Sequence, residues 1–418
     1  MPDLPRPTNG SLRIVHCLRA PIGGLLRNVL DLAREQSRVG HRVGIIIDST
    51  SGNAFEARRI ADAAPDLVLG VTRLAMARNL SPTDLACAYS VFRTASALKP
   101  DVLHGHGAKG GTFARLVGSA LALRGSPVAR IYTPHGGSLH YRKASLKGRV
   151  YFTLERLLER LCDAIVHVSS FEADVYVDKV GLARCGGHVV VNGLQDEEFE
   201  RIVPAEQARD LVFMGTLRDI KGTDVLIRAL GRLRDRDGHA PTLALIGDGP
   251  DRGRCAALVE ELGLSESVSF HASLPTREGL AQGRVMVVPS RAESMPYIVL
   301  ETVAAGLPII ATRVGGIPEI LGSEDLVEPG DAGALADAIR RVLDDPDAAR
   351  DRAEAARHTL RERFTVATMA AAVERLYRAA LSLQASRIRA ARGAGITPRP
   401  VAQKVLQSVQ SAPDRGAR

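Results

Sequence analysis

The chain has 418 residues, of which 45% are hydrophobic and 24% charged. That is ordinary for a soluble globular protein of two or three domains. No apolar run approaches the roughly 20 residues needed to span a bilayer, and no signal-peptide core opens the chain. The net charge of +8 is concentrated at one end: residues 384–418 hold seven Lys/Arg against one Asp, a contribution of +6, so a general nucleic-acid-binding surface is not indicated.

Five scattered cysteines (Cys17, Cys87, Cys162, Cys185 and Cys255) form no Cys-x-x-Cys pair. They argue for a reducing compartment and against a zinc site or disulfide framework.

Taken in order, residues 1–10 are Pro-rich and polar and are expected to be a disordered leader. A strand is predicted at 12–18. The turn Arg19-Ala-Pro-Ile-Gly-Gly then leads through Gly23 and Gly24 into a helix over 25–39, and a second strand follows at 42–47. The rhythm continues with strands at 101–103, 128–133, 164–168 and 188–191. Alternation of this kind predicts a parallel sheet covered on both faces, here residues 11–192. Residues 193–209 read as a linker, opened by Asn192-Gly193 and carrying Pro204. A second α/β domain is expected over 210–345 and C-terminal helices over 346–392, with a flexible basic tail at 393–418.

The most informative stretch is 285–312. It predicts a strand at 285–288, a polar turn, a short helix and a strand at 308–311. Pro296 suits the first helical position, with Ser294 or Met295 as N-cap and Gly306 as C-cap. The helix N-terminus faces the carboxyl end of the preceding strand, where free N–H groups can hold an anion. Glu293 and Glu301 bracket that point. Two carboxylates touching a phosphate would repel it, so they read as acceptors for neighbouring hydroxyls such as those of a ribose and a sugar.

The Glu293-x7-Glu301 pair, with its continuations Ala-Ala-Gly-Leu-Pro-Ile-Ile-Ala-Thr (304–312) and Val-Gly-Gly-Ile-Pro-Glu (314–319), resembles the retaining glycosyltransferases of family 4. The variant is similar to those of bacterial surface-polysaccharide assembly. The resemblance covers about residues 12–385 and implies the GT-B fold: two Rossmann-like doubly wound parallel-sheet domains facing a cleft, with a C-terminal helix crossing back. It implies transfer of a sugar from a nucleotide-sugar, UDP- or GDP-linked for example, to an acceptor hydroxyl of a glycan or lipid-linked glycan. No cofactor or metal is expected, since the nucleotide-sugar is a co-substrate.

Residue by residue, Glu293 would orient the donor sugar and Glu301 hold the ribose, while the backbone from Ser294 through Met295, Pro296, Tyr297 and Ile298 would meet sugar and phosphate. Gly215-Thr-Leu-Arg-Asp-Ile-Lys-Gly222 resembles the family's phosphate loop. Lys221 falls on the family's lysine, whereas Thr216 stands where the family has arginine, leaving Arg218 as the substitute. Fixed positive charge there would stabilise the departing diphosphate. Gly23 and Gly24 match the family's first loop, which touches the donor phosphate, and His271 lies where the nucleotide base is placed. His135, in Tyr-Thr-Pro-His-Gly-Gly, falls near the reacting sugar carbon. His104 and His106 straddle a strand end and read equally well as hydrogen-bonded structural residues. In the accepted family picture, a front-face displacement, the departing phosphate helps deprotonate the acceptor.

Residues 139–161 interleave Arg142, Lys143, Lys147, Arg149, Arg156 and Arg160 with leucines, valine and phenylalanine. Such a segment suits either a peripheral contact with an anionic membrane or an ordinary surface helix whose apolar face is in the core, with Glu155 and Glu159 in solvent. The expected location is cytoplasmic, with peripheral contact at the inner face of the membrane. Three alternatives stay open: a GT-B epimerase of a UDP-sugar, a catalytically silent glycan- or nucleotide-binding subunit, and a dinucleotide oxidoreductase. The last is disfavoured because no Gly-x-Gly-x-x-Gly follows the first strand.

Overall fold

The computed structural model describes residues 10–79 and 81–393, with side chains as far as Ser386. The expected leader (to residue 9) and the basic tail (from 394) lie outside the described residues. The first half of the chain runs β1 Arg13–Leu18, α1 Gly23–Arg38, β2 Arg42–Asp48, α2 Ala54–Ala63, β3 Gly70–Leu74, α3 Thr83–Leu98, β4 Val102–His106, α4 Gly107–Leu123, β5 Ala129–Thr133, α5 Leu146–Leu158, β6 Ala164–His167, α6 Ser170–Lys179 and β7 Gly187–Val189. The second half runs β8 Arg209–Met214, α7 Thr223–Asp237, β9 Leu243–Ile246, α8 Arg252–Glu261, β10 Val268–His271, α9 Thr276–Leu280, β11 Gly283–Val288, α10 Tyr297–Ala304, β12 Ile309–Thr312, β13 Leu326–Val327, α11 Ala332–Asp344, α12 Pro346–Arg363 and α13 Val366–Gly393.

Two compact units result. Among the described residues, one comprises those up to 166, 179–188 and those from 372 onward, the other 167–178 and 189–371. The single helix α13 therefore begins in the second unit and belongs to the first from Ala372 onward.

In the first unit the strand order is β3-β2-β1-β4-β5-β6-β7, with parallel register throughout the pairs β1/β2, β1/β4, β2/β3, β4/β5 and β5/β6. β1 and β4 are buried along their whole length, as strands covered on both faces must be. Helix α4 lies unusually close to this sheet. A Cβ at Gly110 would overlap the carbonyl of Cys17, one at Gly111 the Tyr132 ring, and one at Gly118 the Arg130 side chain. From the strand side, a Cβ at Gly105 would meet the backbone of Gly110 and Gly111.

The second sheet has the order β10-β9-β8-β11-β12-β13. Its core divides by strand alternation. Leu211, Phe213, Leu243, Leu245, Val285 and Val287 pack on one face with α7, α8 and α11. Val212, Ala244, Ile246, Met286 and Val288 pack on the other, beneath Val299, Leu300 and Val303 of α10. The stretch expected as a linker contributes Leu194 and Phe199 to that second face, with a 3-10 turn at Asp196–Phe199.

Other differences from the sequence reading have physical causes. β3 and β13 carry little apolar alternation, five residues and two, and are held at sheet margins. Pro296 is the N-cap of α10, not its first helical residue: its ψ is an extended 123°, so the helix starts at Tyr297. His104 and His106 both belong to β4 and share one face, His106 as its last residue, so they do not straddle the strand's end. Glu155 and Glu159 are buried at 4% and 1% exposure, because the fully buried Arg115 needs the Glu155 carboxylate, at 2.9 Å, and Arg156 pairs with Glu159. Burial works against the Arg115 charge, and Glu155 overrides it, holding the guanidinium protonated beyond its ordinary value.

Candidate functional site

In each sheet the strand order reverses direction between two neighbours, β1/β4 in the first and β8/β11 in the second. Loops leaving the carboxyl ends of such strands diverge and leave room for a ligand.

In the second unit the loop after β8 carries Thr216 and Arg218, both exposed, then a 3-10 turn at Asp219–Lys221, and α7. Gly222 sits between the two turns at φ 66°, and a Cβ there would overlap the Pro289 carbonyl. The loop after β11 locks onto it. Arg291 N–H donates to the Ile220 carbonyl at 2.8 Å, and the Arg291 guanidinium donates to the Asp219 carbonyl and to both Asp224 oxygens. These bonds hold the Asp224 carboxyl below the usual carboxylate range. The result sets Lys221 Nζ 2.6 Å from Glu293 Oε1, and Ser290 Oγ donates to the same oxygen at 2.7 Å.

The turn continuing to α10 is braced from below. Ser294 carbonyl accepts from Gly316 N–H at 2.6 Å, Ser294 Oγ bonds Glu172 at 3.2 Å, and the Met295 carbonyl accepts from Asn192 at 3.1 Å. Gly315, at φ 59°, runs so close under Glu293 that a Cβ would overlap its carbonyl. Met295, Pro296 and Tyr297 are buried, and Ile298 and Glu301 partly buried, Glu301 in the second turn of α10. His271, the last residue of β10, bonds Ser269 Oγ at 2.9 Å. The short helix start, the cation and the two carboxylates thus fall along one switch point. Sequence reasoning missed Arg291, whose role shows only once two loops 70 residues apart are joined.

In the first unit Gly23 and Gly24 are the exposed first residues of α1, Gly23 at φ 59°. His135 follows β5 at φ 51°, in the left-handed region that non-glycine residues seldom occupy. Its Nε2 lies 3.0 Å from His106 Nδ1, and His106 Nε2 lies 2.9 Å from His16 Nδ1. His16 Nε2 meets Gln36 Oε1 at 2.9 Å, and Gln36 Nε2 reaches the Tyr377 hydroxyl at 3.3 Å. The same hydroxyl is 2.7 Å from His104 Nδ1, whose Nε2 is 2.8 Å from Thr133 Oγ1. Burial pushes the pKa of His16 down to about 4 against the Gln36 bond, and that of His135 to about 3. Burial and neighbouring rings push His104 and His106 well below the ordinary value. Ring nitrogens of His16, His104 and His106 lie within 4.8 Å of one another, a spacing that metal ligands also use. In these three rings every nitrogen already has a hydrogen-bond partner.

Two open parallel sheets with their loops gathered at switch points, one bearing a cation and paired glutamates, describe a sugar-transferring enzyme of the two-domain kind. Comparison with known proteins agrees. Residues 195–359 match the model of the glycosyl transferases group 1, and residues 22–198 that of glycosyltransferase family 4. The chain is 28% identical over 389 residues to the glycogen synthase of Mycobacterium tuberculosis, covering 86% of this chain and 92% of that one. It is 29% identical over 301 residues to the putative glycosyltransferase EpsD of Bacillus subtilis, covering 66% and 76%. Its fold matches HepE of Anabaena in complex with UDP and glucose (TM-score 0.73, 17% identity, 88% of this chain and 100% of that). It likewise matches sucrose-phosphate synthase from Thermosynechococcus elongatus (TM-score 0.72, 20% identity, 88% and 99%). The chain thus has the GT-B fold and two glycosyltransferase halves, residues 195–359 similar to group 1 and residues 22–198 to family 4.

Proposed function

We propose that this glycosyltransferase is a retaining family 4 hexosyltransferase. It takes a sugar from a nucleoside-diphosphate donor and transfers it to a hydroxyl of a glycan or lipid-linked acceptor in surface-polysaccharide assembly. The observation that carries the reading is the contact of Lys221 Nζ with Glu293 Oε1 at 2.6 Å. It sets a cation for the diphosphate against a carboxylate for sugar hydroxyls. Lys221, with Arg218 on the exposed side of the same loop, stabilises the charge that grows on the leaving diphosphate. The N-terminus of α10 faces the phosphate, and Glu301 accepts from the ribose hydroxyls. His135 and the Gly23-Gly24 backbone act on the sugar and phosphate. His271 sits beside the base. The co-substrate supplies the reacting groups, and no metal is assigned a step.

The test compares free nucleotide with nucleotide-sugar by calorimetry across UDP-, GDP- and ADP-linked donors. Hydrogen bonds to charged groups contribute about 1.5–3 kcal/mol. Glu301→Gln should therefore weaken nucleotide and nucleotide-sugar alike, roughly ten- to hundredfold. Glu293→Gln should spare the free nucleotide and weaken the sugar-bearing donor. Equal losses for both ligands in both variants contradict the split of roles. No binding of any nucleotide or nucleotide-sugar by the unaltered protein removes the transferase reading.

A cytoplasmic enzyme resting on an anionic membrane is the second part of the proposal, favoured by α5. At 3.6 residues per turn, Leu146, Val150, Leu154 and Leu157 share one stripe of the helix. That stripe is exposed at 78%, 46%, 37% and 50%. The buried residues Gly148, Phe152 and Glu155 lie on the opposite side. Lys147 and Arg149 flank the apolar stripe, and Arg142 precedes it, all exposed. An outward apolar stripe edged by cations has the character of an interfacial helix. Among the described residues no helix is long and apolar enough to cross a membrane.

A further inference from the structure

We propose that Gln36 is a positioning residue that sets the proton tautomer of His135 through His16 and His106, so that His135 carries its proton on Nε2 and offers Nδ1 as a bare acceptor.

The argument starts from burial. His16, Gln36, His104, His106, Thr133 and Tyr377 are each 0–3% exposed. With no water to exchange with, each polar atom takes its hydrogen bond from the next. The four rings are neutral at pH 7, as their depressed pKa values require. A neutral imidazole has one donor nitrogen and one acceptor nitrogen. Each ring therefore passes on the direction it receives, and a hydroxyl behaves the same way. Only the amide of Gln36 cannot: its oxygen accepts and its nitrogen donates.

Gln36 Oε1 faces His16 and its Nε2 faces Tyr377. His16 therefore donates from Nε2 and accepts at Nδ1. His106 must donate from Nε2 to that nitrogen and accept at Nδ1. His135 must then donate from Nε2. Beyond the amide, Tyr377 accepts from Gln36 and donates to His104 Nδ1, so His104 donates from Nε2 to Thr133. All six bonds run in one sense, from His135 to Thr133. Turning the amide over would reverse every one of them and move the His135 proton to Nδ1. One side chain on α1 and one hydroxyl on α13 thus decide whether His135 presents a lone pair or an N–H. Among the described residues His135 Nδ1 has no hydrogen-bond partner. It is the ring nitrogen left for a substrate hydroxyl.

The proton assignment stands independently of the transferase reading. Only the meaning of Nδ1 for a sugar hydroxyl rests on it.

The experiment is long-range 1H–15N correlation on the full-length protein labelled at histidine, with each ring assigned by single substitution. The unaltered protein should show His16, His104, His106 and His135 as neutral rings in one tautomer, the proton on Nε2. Gln36→Met removes both ends of the amide, and His135 should then populate both tautomers. Tyr377→Phe, which frees the far end of the amide while leaving His16 its acceptor, should give a smaller admixture. Several results would overturn the assignment: an Nδ1–H or charged His135 in the unaltered protein, or a single Nε2–H tautomer surviving in both variants. Stoichiometric Zn2+ shifting the His16, His104 and His106 resonances would do so too, since those nitrogens would then be lone pairs offered to a metal. Because the readout needs no substrate, a confirmed tautomer in a protein that binds no nucleotide-sugar would sink the transfer reading alone.

Discussion

At the scale of single residues, Lys221 and Glu293 carry the proposed chemistry, and the turn at Gly222 shapes the loop that brings them together. Replacing Lys221 by alanine should lower sugar transfer by about two to three orders of magnitude, the size of effect found when one preorganised charge stabiliser is lost. Steady-state turnover with the donor identified by calorimetry checks this, and kinetics near the unaltered enzyme would reject the role. Gly222→Ala acts through the backbone instead. Its φ of 66° and the overlap with the Pro289 carbonyl should cost about 1–3 kcal/mol, read as a lower denaturant midpoint. The meeting of Lys221 with Glu293 could be anticipated in the sequence, because Thr216 to Gly222 and Glu293 to Glu301 are contiguous runs that resemble a family's motifs. The histidine chain was not. His16 and His106 are 90 positions apart and His104 and Tyr377 273. Their meeting depends on β1 and β4 being neighbours and on the path of α13, which no local pattern encodes.

Among the elements, α5 separates two meanings of one amphipathic sequence. Its apolar and basic periodicity was visible, but which face the core would take was not, since that depended on Arg115 claiming Glu155. With the leucine stripe outward, the protein should bind anionic liposomes and lose them as salt rises, exposed charges being screened beyond roughly 10 Å at 0.1 M. Changing Arg142, Lys143, Lys147 and Arg149 to Glu should abolish sedimentation with the vesicles while the circular dichroism spectrum is kept. Indifference of the unaltered protein to such vesicles at low salt would leave the stripe without this role. The start of α10 shows a finer limit. Proline fits both the N-cap and the first helical position, and ψ, which the sequence does not carry, separates them.

For the whole molecule, the alternation of strands and helices was enough to anticipate two parallel sheets, while β3 and β13, short and marginal, escaped it. Four histidines held neutral, three of them fully buried, have a consequence for stability. Between the ordinary histidine value near 6.5 and the folded values of about 4 and about 3 for His16 and His135, the unfolded chain binds more protons than the folded one. Stability should therefore fall as pH drops through this window, each such ring lowering the folding constant roughly tenfold per pH unit. Urea midpoints at pH 7 and pH 5 test it, and equal midpoints would show the rings are not held neutral. A last consequence concerns attempts to make the protein hardier. Replacing helical glycines by alanine is a standard route to thermal tolerance, with gains approaching 1 kcal/mol per site in exposed helices. In α4 the rule inverts. The missing side chains of Gly110, Gly111 and Gly118 are the space that Cys17, Tyr132 and Arg130 occupy. An alanine in any of them would lever the helix away from the strands that carry His16 and His104, so a screen for heat resistance should return substitutions almost everywhere on the surface and none along that inner edge.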